Sequence, residues 1–376
     1  MRIGVPSEHG QVERRVALTP DAVSRLITDD VEVLVQAGAG VGASLPDADY
    51  EAVGARIVPN GKALLDEADL VTMVNRPRED DVQAFRSGTA LVGMLQPLVN
   101  RELVDRLSAA GVTAFSLDAV PRITRSQSMD ALSSQATVSG YKSVLIAAEL
   151  LPRFFPMLMT AAGTVPPAKV FVLGAGVAGL QAIATARRLG AVVSAFDTRP
   201  VVKEQVKSLG ATFVELGLDV EEGEDVRGYA TELSEVQHVQ EQALVERTIA
   251  DSDVVITTAL IPGRPAPVLI TADGVRSMRP GSVIVDLAAE TGGNCELTSP
   301  GEVTLREGVT IVGTLNLPST MPLHASQMYA RNITNLLALV IAGGELKLDF
   351  EDEIVADACI THEGRVVSRL LQEAPA

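Results

Sequence analysis

Tryptophan is absent from this chain of 376 residues, and tyrosine and phenylalanine supply the 3% of aromatic side chains. Hydrophobic residues nevertheless make up 47%, carried mainly by alanine, valine and leucine, which points to helices packed on sheets rather than an aromatic-rich β-sandwich. Cysteine occurs twice, as Cys295 and Cys359, without CxxC spacing. That excludes a disulfide framework and a thiolate zinc site, and it fits a reducing compartment; no metal site is expected. The four histidines, His9, His238, His324 and His362, are dispersed and read as surface or packing residues. Basic residues number 31 against 48 acidic ones, a net charge of −17, which disfavours attraction to nucleic acid or anionic lipid. Long apolar runs are missing too. "MRIGVPSEHG" has no signal-peptide core, Val138 to Met159 is interrupted by Lys142, Glu149 and Arg153, and "NLLALVIAGG" is too short for a bilayer core of about 30 Å. No direct membrane insertion is expected.

What is present is a repeated alternation of strand and helix. The length favours about two domains with a cleft between them. "RIGVP", "VEVLVQAG", "DLVTMVN", "TALVGMLQ" and "VTAFSLDAV" are apolar runs bounded by turn residues, with helical stretches such as "NRELVDRLSAAG" among them. A long helical pattern follows, "GYKSVLIAAELLPRFFPMLM", and the domain boundary is placed in or near it. A second series then runs through "KVFVLGAG", "AVVSAFD", "ATFVEL", "DVVITTAL", "GSVIVDLA" and "VTIVGTLN". The expectation is an α/β protein of two Rossmann-like, doubly wound parallel-sheet domains separated by a cleft. The terminal amphipathic helix and the hairpin around "HEG" are returned to the first domain. That gives 1–135 with 318–376 as the N-terminal domain and 136–317 as the Rossmann domain.

In "KVFVLGAGVAGLQAIATARRLGA", Gly174, Gly176 and Gly179 lie between an apolar strand and a helix that opens at Val177. Gly174 permits the tight turn, Gly176 lets the backbone approach a pyrophosphate, and Gly179 lets the helix pack on the strand. The next strand ends at Asp197, where an acid can accept hydrogen bonds from the adenosine ribose and repel a 2′-phosphate. NAD(H) is therefore expected over NADP(H). Arg199 works against that inference, because an arginine there could hold the phosphate. After a further strand, "ITTALIPG" brings Thr258, Ala259 and Leu260 to the side where ligands bind in such sheets; a plain strand-end turn would explain it equally well only without the glycine motif upstream.

One passage is dense in hydroxyls and amides: "RITRSQSMDALSSQ", residues 122–135. Its groups can orient a polar ligand, and Asp and Arg can pair across a site. A helix N-cap built on Ser126 or Ser128 accounts for the same residues.

Together "RRVALTP", "QAGAGVGAS", "RITRSQSMDALSSQ", "GTVPPAKVFVLGAGVAGLQAIATARRLGA", "KEQVKSLGA", "ITTALIPGRPAPVLIT", "DLAAETGGNCE" and "CITHEGRVV" resemble the NAD(H)-binding component, domain I, of proton-translocating nicotinamide nucleotide transhydrogenase. The resemblance spans nearly the whole chain. It implies that Arg122, Gln127, Asp130 and Ser133 orient the carboxamide and nicotinamide ribose, and that Tyr229 lies on a loop that closes over the nucleotide. It also implies the Si-specific/Re-specific reaction, a hydride passing directly to NADP(H) held by a partner subunit. Membrane partner subunits, a homodimer, and a cytoplasmic position at the inner face of the cell membrane are implied as well.

Alanine dehydrogenase shares many of these blocks. Its carboxylate-binding arginine is matched by Arg15, but its lysine, histidine and aspartate positions fall at Asn75, Gln96 and Glu290. An asparagine cannot replace an ammonium and a glutamine cannot shuttle a proton, so amino-acid oxidoreduction is the alternative, together with a non-catalytic NAD-binding protein.

Overall fold

The computed structural model describes residues 1–10, 12–215, 235–261 and 263–373. Contacts divide the chain into two compact units, Met1–Gln135 with Pro318–Ala376, and Ala136–Leu317.

The sheet of the first unit runs, edge to edge, Arg365–Val366, Cys359–His362, Thr113–Ser116, Ala90–Gly93, Leu70–Thr72, Arg2–Val5, Glu32–Gln36 and Arg56–Val58. The six strands from the N-terminal stretch of the chain are parallel, and the C-terminal hairpin adds two antiparallel strands at one edge. The chain begins mid-sheet, builds to one edge, then returns to build the other, so strand order reverses between Arg2–Val5 and Leu70–Thr72. Alternate residues feed opposite faces. Val33, Val35, Leu70, Val92 and Phe115 pack with Tyr329, Ile333 and Leu336 of the helix Pro322–Val340. Leu34, Val71, Leu91 and Ala114 pack on the other side with Leu64 and Leu107. Burial on both faces is why these strands read as nearly continuous apolar runs.

The second unit repeats the plan. Its order is Thr212–Phe213, Val192–Phe196, Lys169–Leu173, Val254–Thr257, Val283–Asp286, Val309–Val312 and Val303–Arg306, the first six parallel. The seventh is an edge strand that the sequence pattern does not suggest. It pairs antiparallel with Val309–Val312 through a turn in which Glu307 and Gly308 both have positive φ, the geometry of a tight hairpin. Val170, Val172, Val254 and Ile256 face Ala182, Ile183 and Ala186 of the helix Val177–Arg188. Phe171, Leu173 and Val255 face Val245 and Ile249 of the helix Glu235–Ala250.

The helix expected over "GYKSVLIAAELLPRFFPMLM" is displaced. It spans Ala131–Leu150, beginning inside the polar passage. Pro152 and Pro156 lack the amide hydrogens a continuing helix needs, and Leu158–Thr160 instead pairs with Gly163–Val165 in a hairpin. The division between the two units falls within this helix.

Candidate active site

In the second unit the strand order reverses between Lys169–Leu173 and Val254–Thr257, and the carboxyl ends of these strands hold the glycine turn and the "TTALI" segment side by side. Gly174 has φ +95°, a left-handed conformation that side chains disfavour. A Cβ on Gly179 would lie 1.9 Å from the Gly174 carbonyl oxygen, so the first turn of the helix can pack against the strand end here only with a glycine at this position. Gly176 differs: a Cβ there would meet nothing nearer than Arg199 at 3.9 Å. Its outer face is open, and the helix opening at Val177 turns its first amides toward that space, which suits a pyrophosphate. By this measure the residues present fit a dinucleotide.

Asp197 lies at the end of the neighbouring strand, and its Oδ2 accepts from the Ala175 amide at 2.7 Å. Its Oδ1 accepts from the amide and Nε of Arg199, both at 2.9 Å, and Oδ2 also takes Arg199 Nη2 at 3.0 Å. Thr258 Oγ1 donates to the Gly174 carbonyl at 3.1 Å, tying the second loop to the first. Leu260 is exposed, as is Val177. Gly174, Gly176, Val177, Gly179, Asp197, Thr258, Ala259 and Leu260 are thus gathered at one set of strand ends. Tyr229 lies outside the described residues.

Two residues of the "DLAAETGGNCE" block, to which the sequence reading assigns no role, shape this site. Asn294 is fully buried, and its amide pairs with Ala259 in both directions, accepting from the Ala259 amide at 3.0 Å and donating to its carbonyl at 2.9 Å. A third bond reaches the Pro267 carbonyl at 2.8 Å. Asp286, also buried, accepts from Thr257 Oγ1, the Ala288 and Cys295 amides and Thr298 Oγ1. An acid that ends an otherwise apolar strand is the available signal, because a buried carboxylate needs several donors. Burial, with the Asp286 charge adding to it, pushes the Cys295 thiol up to about 11, so it is no nucleophile at neutral pH.

In the first unit the polar passage forms a 3₁₀ turn, Thr124–Met129, leading into the helix Ala131–Leu150. The cap is Asp130 rather than Ser126 or Ser128. Its carboxylate accepts from the Ser133 amide at 2.8 Å and Ser133 Oγ at 2.6 Å. Ser126 is buried and closes the preceding turn by donating to the carbonyls of Pro121 and Ile123, whereas Ser128 is exposed and its carbonyl accepts from Asn332 and Asn335. Arg125 is bound by both carboxylate oxygens of Asp352 at 2.6 Å. Gln127 is exposed on this turn, and Arg122 is exposed two residues before it. Asp130 and Ser133 are therefore brought into contact, with Arg122 and Gln127 presented nearby along the chain.

The first unit's own strand-order reversal holds a buried polar cluster. Glu13 pairs with Arg15 at 2.7 Å, Asn75 Nδ2 donates to Glu13 at 2.8 Å, and Arg15 Nη1 donates to Gln135 at 2.9 Å. Glu8 accepts from the Val74 amide at 2.5 Å and the Asn75 amide at 3.2 Å, and burial pushes its carboxyl up to about 7. Gln96 adopts a left-handed φ of +51° and accepts from Arg76 at 3.2 Å; Asp118 holds the adjoining Leu95 amide at 3.0 Å. Glu290, in the second unit, accepts from the Asn316 amide at 2.6 Å.

Comparison with known proteins matches residues 4–139 to the alanine dehydrogenase/PNT N-terminal domain and 143–369 to the alanine dehydrogenase/PNT C-terminal domain. An NAD(P) transhydrogenase alpha subunit of Rhodospirillum rubrum is 45% identical over 98% of this chain and 98% of its own length. Alanine dehydrogenase of Mycolicibacterium smegmatis is 31% identical over 98% of this chain and 95% of its own. The crystal structure of a transhydrogenase from Sinorhizobium meliloti superposes with a TM-score of 0.86 at 44% identity, covering 98% of this chain and 100% of the other. With both domains matched and relatives aligned end to end, the chain belongs to the alanine dehydrogenase/PNT family of NAD-binding oxidoreductases, alongside its transhydrogenase alpha subunits.

Proposed function

We propose that this chain is the NAD(H)-binding subunit of a proton-translocating transhydrogenase, in which a hydride passes directly between NADH held here and NADP⁺ held by a partner subunit. The observation that carries this over amino-acid oxidoreduction is the pair of amides at positions 75 and 96. Asn75 is committed to Glu13 and Gln96 to Arg76, and neither side chain can take up or release a proton near neutrality. Glu8 does titrate in that range, but both its oxygens are engaged by the Val74 and Asn75 amides. Direct hydride transfer needs no proton shuttle; it needs two rings held about 3–3.5 Å apart.

In this reading residues 136–317 form the NAD(H)-binding domain and 1–135 with 318–376 its companion. The turn at Gly174 and Gly176 takes the pyrophosphate, Asp197 the adenosine ribose, and Thr258, Ala259 and Leu260 border the nicotinamide end. Arg122, Gln127, Asp130 and Ser133 orient the carboxamide and its ribose. NAD(H) supplies the hydride; the protein binds, aims and shields it. The relatives carry the name of one subunit among several, and this supports NADP(H)-binding and membrane partners with this chain peripheral at the cytoplasmic face. A homodimer is supported by the hairpin Leu158–Thr160/Gly163–Val165, around which Phe154, Met157 and Met159 are 56%, 58% and 77% exposed. The test is turnover: the purified chain should bind NADH, oxidise none of it with pyruvate and ammonium, and transfer hydride once the NADP(H)-binding partner is added. Steady oxidation by the oxo acid would overturn the reading in favour of amino-acid chemistry.

A further inference from the structure

We infer that Asn332 is a positioning residue for the proposed hydride transfer, a buried amide that sets the angle at which Asp130 and Ser133 are presented by gripping the chain on both sides of them. The inference rests on the orienting role proposed above for those two residues. Asp130 joins two helical segments of different pitch, the 3₁₀ turn Thr124–Met129 and the helix Ala131–Leu150, and its own backbone is not helical, with ψ 89°. Its carboxylate accepts from the amide and hydroxyl of Ser133, which closes the cap but leaves the angle between the segments to other contacts. Asn332, on the helix Pro322–Val340, supplies one. Its Nδ2 donates to the Ser128 carbonyl at 2.9 Å, before Asp130, and its Oδ1 accepts from Ser134 Oγ at 2.7 Å, after it.

The place of this amide is unusual for its helix. Tyr329, Ile333, Leu336 and Leu337 around it are buried hydrophobic side chains, and Asn332 itself is only 6% exposed. A leucine would serve packing there, and an amide is tolerated because its bonds are made. Other contacts hold the two segments one at a time. Asn335 reaches the Ser128 carbonyl at 3.0 Å from a half-buried position, Arg125 pairs with Asp352 at the surface, and the Gln135 amide donates to the Ala325 carbonyl at 3.2 Å. Asn332 is the one among them that grips both sides of Asp130. Its loss leaves each segment attached, but no longer to a common point. That loss also strands little, since the Ser128 carbonyl keeps Asn335 and the Ser134 hydroxyl has the Ala131 carbonyl at 3.1 Å. The fold should survive while the aim is lost, and transfer is steep in aim: a displacement of about 1 Å costs on the order of 10²-fold in rate.

Single-turnover transfer from NADH, with the full-length chain and its NADP⁺-loaded partner subunit, is compared with NADH affinity by calorimetry in four forms: unchanged, Asn332→Ala, Ser134→Ala and the double variant. Asn332→Ala should slow transfer about tenfold or more and leave NADH affinity within about twofold of the unchanged chain. Ser134→Ala, which removes one of the two holds, should slow transfer less. The double variant should be no slower than Asn332→Ala alone, because the serine acts through the asparagine. Unimpaired transfer in a folded Asn332→Ala overturns the inference. So does a parallel fall in transfer and affinity, or a double variant whose slowing is the product of the two single effects. A thermal melt establishes that each variant is folded. If Asn332→Ala does not fold, Ser134→Ala decides: slower transfer at unchanged affinity supports the inference, and unimpaired transfer overturns it. Failure of the underlying reading has a different signature, an unchanged chain that passes no hydride to the partner's NADP⁺.

Discussion

Asp130 serves as helix cap and as candidate orienting group, and two substitutions separate these tasks. Asparagine caps about as well as aspartate, whereas alanine at such a position costs about 1 kcal/mol. Asp130→Asn should therefore unfold at nearly the same temperature as the unchanged chain yet slow hydride transfer about tenfold or more, with NADH affinity little altered. Asp130→Ala should lose both transfer and stability. Single-turnover transfer with the partner subunit and a thermal melt measure the two effects, and an Asn variant with unimpaired transfer would remove Asp130 from the proposed site. Glu8 makes a different prediction. Burial raises its carboxyl from 4.5 to about 7, against the lowering contributions of the Val74 and Asn75 amides and Arg15. Over that interval the folded chain keeps a proton that the unfolded chain has released. Its stabilising contribution is therefore complete below about pH 4.5 and is lost as pH rises through about 7. In Glu8→Gln the fall in melting temperature between about pH 5 and pH 8 should be shallower; an unchanged slope would assign that pH dependence to other groups.

At the level of single elements, the loop after Val254–Thr257 owes its shape to Asn294. Removing a fully buried amide with three bonds leaves the Ala259 amide and carbonyl unsatisfied, at about 1–3 kcal/mol per stranded group. Asn294→Ala should lower both the melting temperature and NADH affinity, the second read by calorimetry. Gly140, on the helix Ala131–Leu150, approaches the first turn of the glycine-loop helix so closely that a Cβ would sit 2.1 Å from the Ala178 carbonyl oxygen. These contacts mark where the sequence stops being readable. The strand, turn and helix around Gly174 are legible because each depends on residues within a few positions of one another. So is the alternation of strands and helices, since burial on both faces imposes apolar runs. The helix Ala131–Leu150 is hard to place from sequence because its first turns, "ALSSQATVSG", carry no apolar stripe, while the apolar residues past Pro152 mimic one. Asn294 and Asp286 escape because their partners, Ala259 and Thr257, lie on a different loop and strand. Asp197 and Arg199 are two residues apart, yet only the structure reveals that the arginine is turned back onto the acid.

Across the whole molecule, one topology is used twice, with the strand order reversing mid-sheet in each unit. The two reversals hold different chemistry: an open glycine turn in the second unit, and in the first a closed cluster in which Glu8, Glu13, Arg15 and Asn75 satisfy one another. Among the described residues the glycine turn is thus the candidate nucleotide site, and the proposed exchange between nucleotides draws its second nucleotide from a partner. The exposed hairpin adds a prediction at this scale for the proposed homodimer: the unchanged chain should sediment as a dimer and Met159→Asp as a monomer, and a dimer that survives the substitution would place the interface elsewhere. The central claim, direct hydride transfer, is tested most directly with NADH carrying deuterium at the transferred position, mixed with this chain, the NADP⁺-loaded partner and ordinary water. The account predicts NADPH that retains the deuterium. Loss of the label to solvent, or no labelled NADPH at all, would contradict it.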